Sequence, residues 1–306
     1  MREYFENLLL QIMKNNKKII LLTADDDSPL LTKIQNKFPE RFIRVGIAEC
    51  NLLGVAAGMS SLGFIPIVYT IGSFIINRAL DFLRCDICIN NLNVKLVGWG
   101  SGVKINNLGP THHTTEDMAI LRSLPNLTIL SPASMLEIEP VFKAALSVES
   151  PVYIRMGKAF ESEIFKSPPT FIIGKSQLLS KGKDISFIST GNIISNVIAA
   201  SNELKNYNIE ADIINLSSIK PLDVKTIIKS IKKTGRVITV EEHQVTGGIG
   251  SAVAEIIAEN DLTCKLIRMG LPDKFVTENG WYKDLIEQNG LDVKDIVKTA
   301  KKIINE

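Results

Sequence analysis

Glu49 stands in the run Arg44-Val-Gly-Ile-Ala-Glu-Cys-Asn51, at the mouth of a small-residue apolar helix predicted over Leu52 to Leu62. Taking a carboxylate out of water costs several kcal/mol unless a partner meets it, so something must sit opposite this one; the alternative is an exposed N-cap glutamate. His112 and His113 are adjacent in the loop Leu108-Gly-Pro-Thr-His-His-Thr-Thr-Glu-Asp117, which is expected to open a helix at Thr115, whose hydroxyl suits a cap. Neighbouring histidines rarely point at one metal ion. Arg155 ends a predicted strand, where α/β sheets form ligand sites, and its planar fork suits phosphate. Phe74, judged on its own helix pattern, reads as core.

These residues need a frame. The chain has 306 residues, enough for two domains with well-buried cores, and its 45% hydrophobic and 22% charged composition excludes disorder. With 35 basic against 33 acidic residues, no global field draws it to nucleic acid or acidic lipid. The apolar stretch Leu8 to Met13 is too short for a signal peptide, and no window approaches the roughly 20 apolar residues of a membrane span, so a cytoplasmic protein is expected. Four cysteines (Cys50, Cys85, Cys88, Cys264) make no disulfide framework, and Cys85-Asp-Ile-Cys88 continues a helical pattern, as buried structural thiols do.

Apolar strand-like runs alternate with helical patterns throughout, predicting an α/β fold of two domains, each a mostly parallel sheet flanked by helices. Strands are expected at Ile19 to Thr23, Phe42 to Val45, Ile65 to Tyr69, Val94 to Val97, Leu127 to Leu130 and Val152 to Ile154. A second series follows at Ile185 to Ser189, Ile209 to Asn215, Val237 to Val240 and Lys265 to Arg268. Periodicity weakens between Lys158 and Lys183, around Ser167-Pro-Pro-Thr170, which sets domains at 1–165 and 183–306 with a linker at 166–182.

The ordered set Glu49, Gly54-Val-Ala-Ala-Gly58, Pro66, Phe74, Gly109-Pro-Thr-His-His113, Ile120-Leu-Arg-Ser-Leu-Pro-Asn126 and Pro151-Val-Tyr-Ile-Arg155 strongly resembles the pyrimidine-binding domain of transketolases and related deoxyxylulose-phosphate synthases. The second half, with Val240-Glu-Glu-His-Gln-Val-Thr-Gly-Gly-Ile-Gly-Ser-Ala252, resembles that family's C-terminal domain. The diphosphate-binding α/β domain of a complete transketolase has no counterpart here. The resemblance therefore implies one subunit of a split, thiamine-diphosphate-dependent enzyme that moves a two-carbon ketol unit from a ketose to an aldose. The partner, an N-terminal-type subunit, would hold the diphosphate and Mg2+, giving an α2β2 assembly.

The resemblance also implies roles. Glu49 would exchange a proton with the cofactor's aminopyrimidine, in a sheltered setting that raises its pKa. Phe74 would pack against that ring, with Ile71 and Asn77 replacing aromatics that flank it in the family. His112, with His113 beside it, would reach the substrate carbonyl and hydroxyls; Arg155 and, more loosely, Ser28 and Arg2 would bind sugar hydroxyls or phosphate. Leu108 replaces an aspartate that reads hydroxyl stereochemistry, and Gly100 or Ser101 stands where a histidine is usual, so a modified or nucleotide-linked sugar is an alternative to a pentose phosphate. Other readings are a deoxyxylulose-phosphate-synthase half, a 2-oxo-acid dehydrogenase β subunit, and a non-catalytic assembly subunit. Thr246-Gly-Gly-Ile-Gly-Ser-Ala252 also invites dinucleotide binding, a weak signal alone.

Overall fold

The computed structural model describes residues 2–157 and 162–306; Lys158, where the linker's weak periodicity begins, lies outside them. The first series gives β1 (Ile19–Thr23), β2 (Phe42–Arg44), β3 (Ile65–Ile71), β4 (Lys95–Trp99), β5 (Thr128–Leu130) and β6 (Val152–Met156). The second gives β7 (Gln177–Ser180), β8 (Ile185–Ser189), β9 (Ala211–Asn215), β10 (Ser218–Lys220), β11 (Arg236–Gln244) and β12 (Lys265–Leu271). Between and around them run helices α1 (Arg2–Asn15), α2 (Pro29–Lys37), α3 (Glu49–Ser61), α4 (Gly72–Phe82), α5 (Asp117–Arg122) and α6 (Met135–Leu146). The chain continues with α7 (Ile194–Leu204), α8 (Val224–Thr234), α9 (Ile249–Glu259), α10 (Tyr282–Gln288) and α11 (Val293–Asn305).

The strands form two sheets, ordered β10-β5-β6-β4-β3-β1-β2 and β12-β11-β8-β9-β7. Pairing is parallel except where β10 meets β5 and β7 meets β9. Central strands such as β1 and β8 are buried along their full length, which is why they read as continuous apolar runs rather than alternating ones.

Three features depart from the sequence reading. The linker contains strand β7, an antiparallel edge whose half-exposed residues carry no burial pattern. β10 comes from the second half yet closes the first sheet, so the halves are interlocked. They also share apolar contacts: Leu96, Met118 and Leu121 belong to the same buried cluster as Ile188, Leu216, Ile249 and Val253. The cores are continuous across the boundary.

Lys95 begins β4 fully buried and donates from Nζ to the carbonyls of Val148 and Ser150 at 2.7 and 2.8 Å. Burial pushes its pKa from 10.5 down to about 7. The unfolded chain then binds the extra proton in the window between these values, so this group favours folding increasingly as pH rises through it. Relative to Lys95→Met, the wild type should gain about 2 kcal/mol between about pH 7 and 9, measured by urea midpoints.

Cys88 is buried in this core and its thiol is pushed up to about 11, while Cys85 donates to Asp81 at 3.3 Å. Cys88 is therefore not an activated thiol. At Gly54 an added Cβ would lie 3.8 Å from the Phe82 ring, and at Gly58 it would meet nothing within 4 Å, so neither glycine is required for packing inside this chain.

Candidate active site

The order of the first sheet reverses between β1 and β3, because β2 lies beyond β1 on one side and β4 beyond β3 on the other. A reversal of this kind leaves a crevice past the carboxyl ends of the strands. A cleft of about 370 Å³ opens there, walled by Asp25 and Asp26 after β1, Ile71 and Trp99 ending β3 and β4, and Glu49, Phe74, Arg78 and His112.

Glu49 is the first residue of α3 and only 3% exposed. Gly46, at φ +78, allows the turn from β2 into that helix, and the cap Ala48 has no side-chain bond to offer. An acidic side chain in a first helical turn is favoured by the helix dipole. Its partner is a cation of the same chain: Arg78 donates from Nη1 to Glu49 Oε2 at 2.9 Å. The guanidinium lies over Phe74, with its carbon 3.9 Å from the ring centroid. Arg78 is the site residue that sequence reasoning missed. Its signal is the spacing, four residues after Phe74 on the same face of α4.

His112 meets Phe74 edge-on, with ring centroids 4.9 Å apart and planes at 66°. Its loop is stitched to the start of α4. Ser73 donates its backbone N–H to Thr114 Oγ1 at 3.0 Å, and a Cβ at Gly72 would press against Thr114 and Tyr153 at 3.0 Å. Thr111 Oγ1 lies 2.9 Å from His112 Nδ1, which leaves Nε2 as the nitrogen available to a ligand. Partial burial and, second, the Arg78 charge hold the imidazole below its usual pKa, so it is neutral at pH 7.

The same loop is clamped from the second half of the chain. Glu242 accepts from the Val103 N–H at 2.8 Å through Oε1 and from the Tyr282 hydroxyl at 2.8 Å through Oε2, and Asn106 donates to the Gly280 carbonyl. A Cβ at Gly102 would clash with Glu242 Oε1. Bracing the His112 loop is thus one task of the second half, invisible in its sequence.

Several expected site residues lie elsewhere. Arg155 is 3% exposed and lines no part of the cleft. It donates from Nε to Asp117 Oδ2 at 2.7 Å and from Nη2 to the carbonyls of Thr114 and Glu242, so its fork is spent on joining the two halves. His113 is buried, and among the described residues neither ring nitrogen has a hydrogen-bond partner; burial lowers its pKa. Asn77 is on the outside of α4, donating to Glu116 Oε1 at 3.0 Å. Ile71 does line the cleft. Ser28 caps α2 through the Leu31 N–H and donates to Glu6 Oε2 at 2.8 Å. It faces a neighbouring cleft of about 600 Å³ shared with Glu3, Glu6, Asp26 and Asp27, the last paired with Arg44 at 2.6 Å. The Arg2 side chain lies outside the described residues. Thr115 caps no helix; its hydroxyl bonds Glu116, and α5 starts at Asp117.

The glycine-rich turn before α9 is filled from within. Glu241 accepts from the N–H groups of Ile249 and Gly250 at 2.7 and 2.8 Å, and a Cβ at Gly248 would clash with its Oε2. The helix end that a pyrophosphate would need already holds a carboxylate.

Two mostly parallel sheets, with a buried acid and an aromatic face in a cleft at the strand-order reversal, define an α/β protein with a candidate ligand site at one sheet's carboxyl edge. Residues 1–160 match the family model described as "Transketolase, pyrimidine binding domain", and residues 174–296 match "Transketolase, C-terminal domain". The chain belongs to the transketolase family. It is 34% identical to a putative transketolase C-terminal section of Methanocaldococcus jannaschii over 100% of this chain and 96% of that one. It is 33% identical to one subunit of the apulose-4-phosphate transketolase of Phocaeicola vulgatus, over 100% and 97%. A solved structure described as a split gene transketolase, inactive beta4 tetramer, superposes with a TM-score of 0.91 at 35% identity, covering 99% of this chain and 98% of that one.

Proposed function

We propose that this chain is the pyrimidine-binding subunit of a two-chain, thiamine-diphosphate-dependent transketolase. The observation that carries the proposal is the joint geometry of Glu49 and Phe74: a buried carboxylate and an aromatic face that together hold one flat, N–H-bearing group, here the Arg78 guanidinium. An aminopyrimidine ring makes the same two demands, so the residues fit the cofactor. Thiamine diphosphate, when bound, would supply a thiazolium carbon acidic enough to lose its proton and so act as the nucleophile toward a ketose carbonyl. Glu49 moves a proton to and from the far ring nitrogen, Phe74 and Ile71 orient the ring, and His112 Nε2 hydrogen-bonds the sugar's carbonyl or hydroxyl oxygen. The first half of the chain bears these groups, and the second half braces the His112 loop.

An N-terminal-type partner would supply the diphosphate and Mg2+ site, as an α2β2 assembly in the cytoplasm. No helix among the described residues is long and apolar enough to cross a membrane. Subunits named for the transketolases of 6-deoxy-6-sulfo-D-fructose (Clostridium sp.) and apulose-4-phosphate are 34% and 33% identical to this chain. Together with Leu108 in place of the family's aspartate, these relatives support a modified sugar as substrate.

The test is reconstitution. Mixed with the partner, thiamine diphosphate and magnesium, the chain should transfer a ketol unit between sugars, and neither subunit should do so alone; full turnover by this chain by itself would overturn the split assignment. Deoxyxylulose-phosphate synthases, such as that of Desulfotalea psychrophila at 35% identity, are spanned by this chain over only 47% of their length. A parallel assay with pyruvate and an aldose phosphate separates that reading.

A further inference from the structure

The partner that Glu49 requires is already present in the free chain. Arg78 reaches Glu49 Oε2 at 2.9 Å and covers Phe74 at 3.9 Å, so one planar cation takes up both the acid and the aromatic face. His112 closes the ring from another side at 4.9 Å. A second flat group stacked on Phe74 needs the volume that the guanidinium fills, because stacked rings approach to about the same separation.

We propose that Arg78 occupies the seat of the cofactor's aminopyrimidine ring in the uncomplexed chain, and that ring entry requires it to swing away from Glu49 and Phe74. The inference rests on the assignment of Glu49 and Phe74 as that seat. Arg78 is suited to leave. Its side chain is 45% exposed, whereas that of Glu49 is 3% exposed, so the cation can be rehydrated while the acid cannot. Its long stem also permits a new rotamer without backbone change. In the free chain the contact keeps a buried carboxylate from standing alone. It also makes the cleft of the free chain a poor binder of any small heterocycle. Cofactor entry, in turn, frees a cation at the rim of the site.

The probe is thiamine itself, which carries the ring without the diphosphate that the partner would hold. Binding to the full-length chain is followed by calorimetry and by quenching of Trp99, which lines the cleft. Arg78→Met should bind thiamine about tenfold more tightly than the wild type, the combined loss of one half-exposed ion pair and one cation–π contact. Arg78→Lys, which keeps the charge but not the plane, should fall between them. Phe74→Ala should abolish the gain. If Arg78→Met binds thiamine as weakly as, or more weakly than, the wild type while Phe74→Ala removes the binding that remains, the seat stands and the displacement model is wrong. If no variant binds thiamine, in isolation or with the partner, the seat assignment fails and this inference with it. Melting temperatures of the variants exclude misfolding as the cause.

Discussion

Replacing Glu49 with glutamine should lower ketol transfer by the reconstituted enzyme by about 10²–10⁴-fold, the usual worth of positioned acid/base catalysis. Glutamine keeps the size of the side chain and an oxygen for hydrogen bonding, but it cannot exchange a proton with a ring nitrogen. The loss should appear in kcat. Cofactor affinity, measured separately by calorimetry on the assembled enzyme, should change far less, because Phe74 and the partner's diphosphate site remain. Arg78 loses its counter-ion in this variant, yet it is half-exposed and solvates readily. The fold should therefore survive, with a nearly unchanged melting point. Undiminished turnover by Glu49→Gln would remove the acid from the mechanism.

The second large effect concerns Arg155 and separates structure from recognition. Its ion pair with Asp117 is buried on both sides, at 3% and 0% exposure. Removing one member of such a pair leaves an uncompensated charge in the interior, which costs about 3–5 kcal/mol. Arg155→Met should thus lower the urea midpoint sharply, by unpairing Asp117 and by releasing the carbonyls of Thr114 and Glu242. Asp117→Asn combined with Arg155→Met should recover part of the loss, since the stranded charge is gone; the double-mutant cycle measures the coupling. A residue that grips a substrate phosphate behaves differently, raising KM while leaving the midpoint in place. That second pattern would return Arg155 to the substrate site.

The contrast between Glu49 and Arg155 shows how far residue patterns reach. Both are charged and both sit at an element's end, where α/β proteins gather their ligands. The position of Glu49 at the head of a helix of small residues demands a partner, whatever the fold around it, and the cleft forms there. Arg155 makes the same demand, but its answer, Asp117, arrives from a helix that tertiary packing alone brings within 2.7 Å. Chain spacing does not reveal that encounter. Ser28 is equally ambiguous by its chain position, and only the contacts with Glu6 and with the helix it caps assign its hydroxyl.

By itself, the sequence determined the alternation of strands and helices, the positions of the buried strands and the place of Glu49 at a helix mouth. These are written in local hydrophobic period and turn chemistry, which depend on near neighbours. Only the tertiary structure decided that β10 crosses into the first sheet, that Glu242 clamps the His112 loop and that Arg78 lies across Glu49 and Phe74. Each of these joins groups distant in the chain or sets a rotamer, and such choices are made by packing and charge pairing in three dimensions.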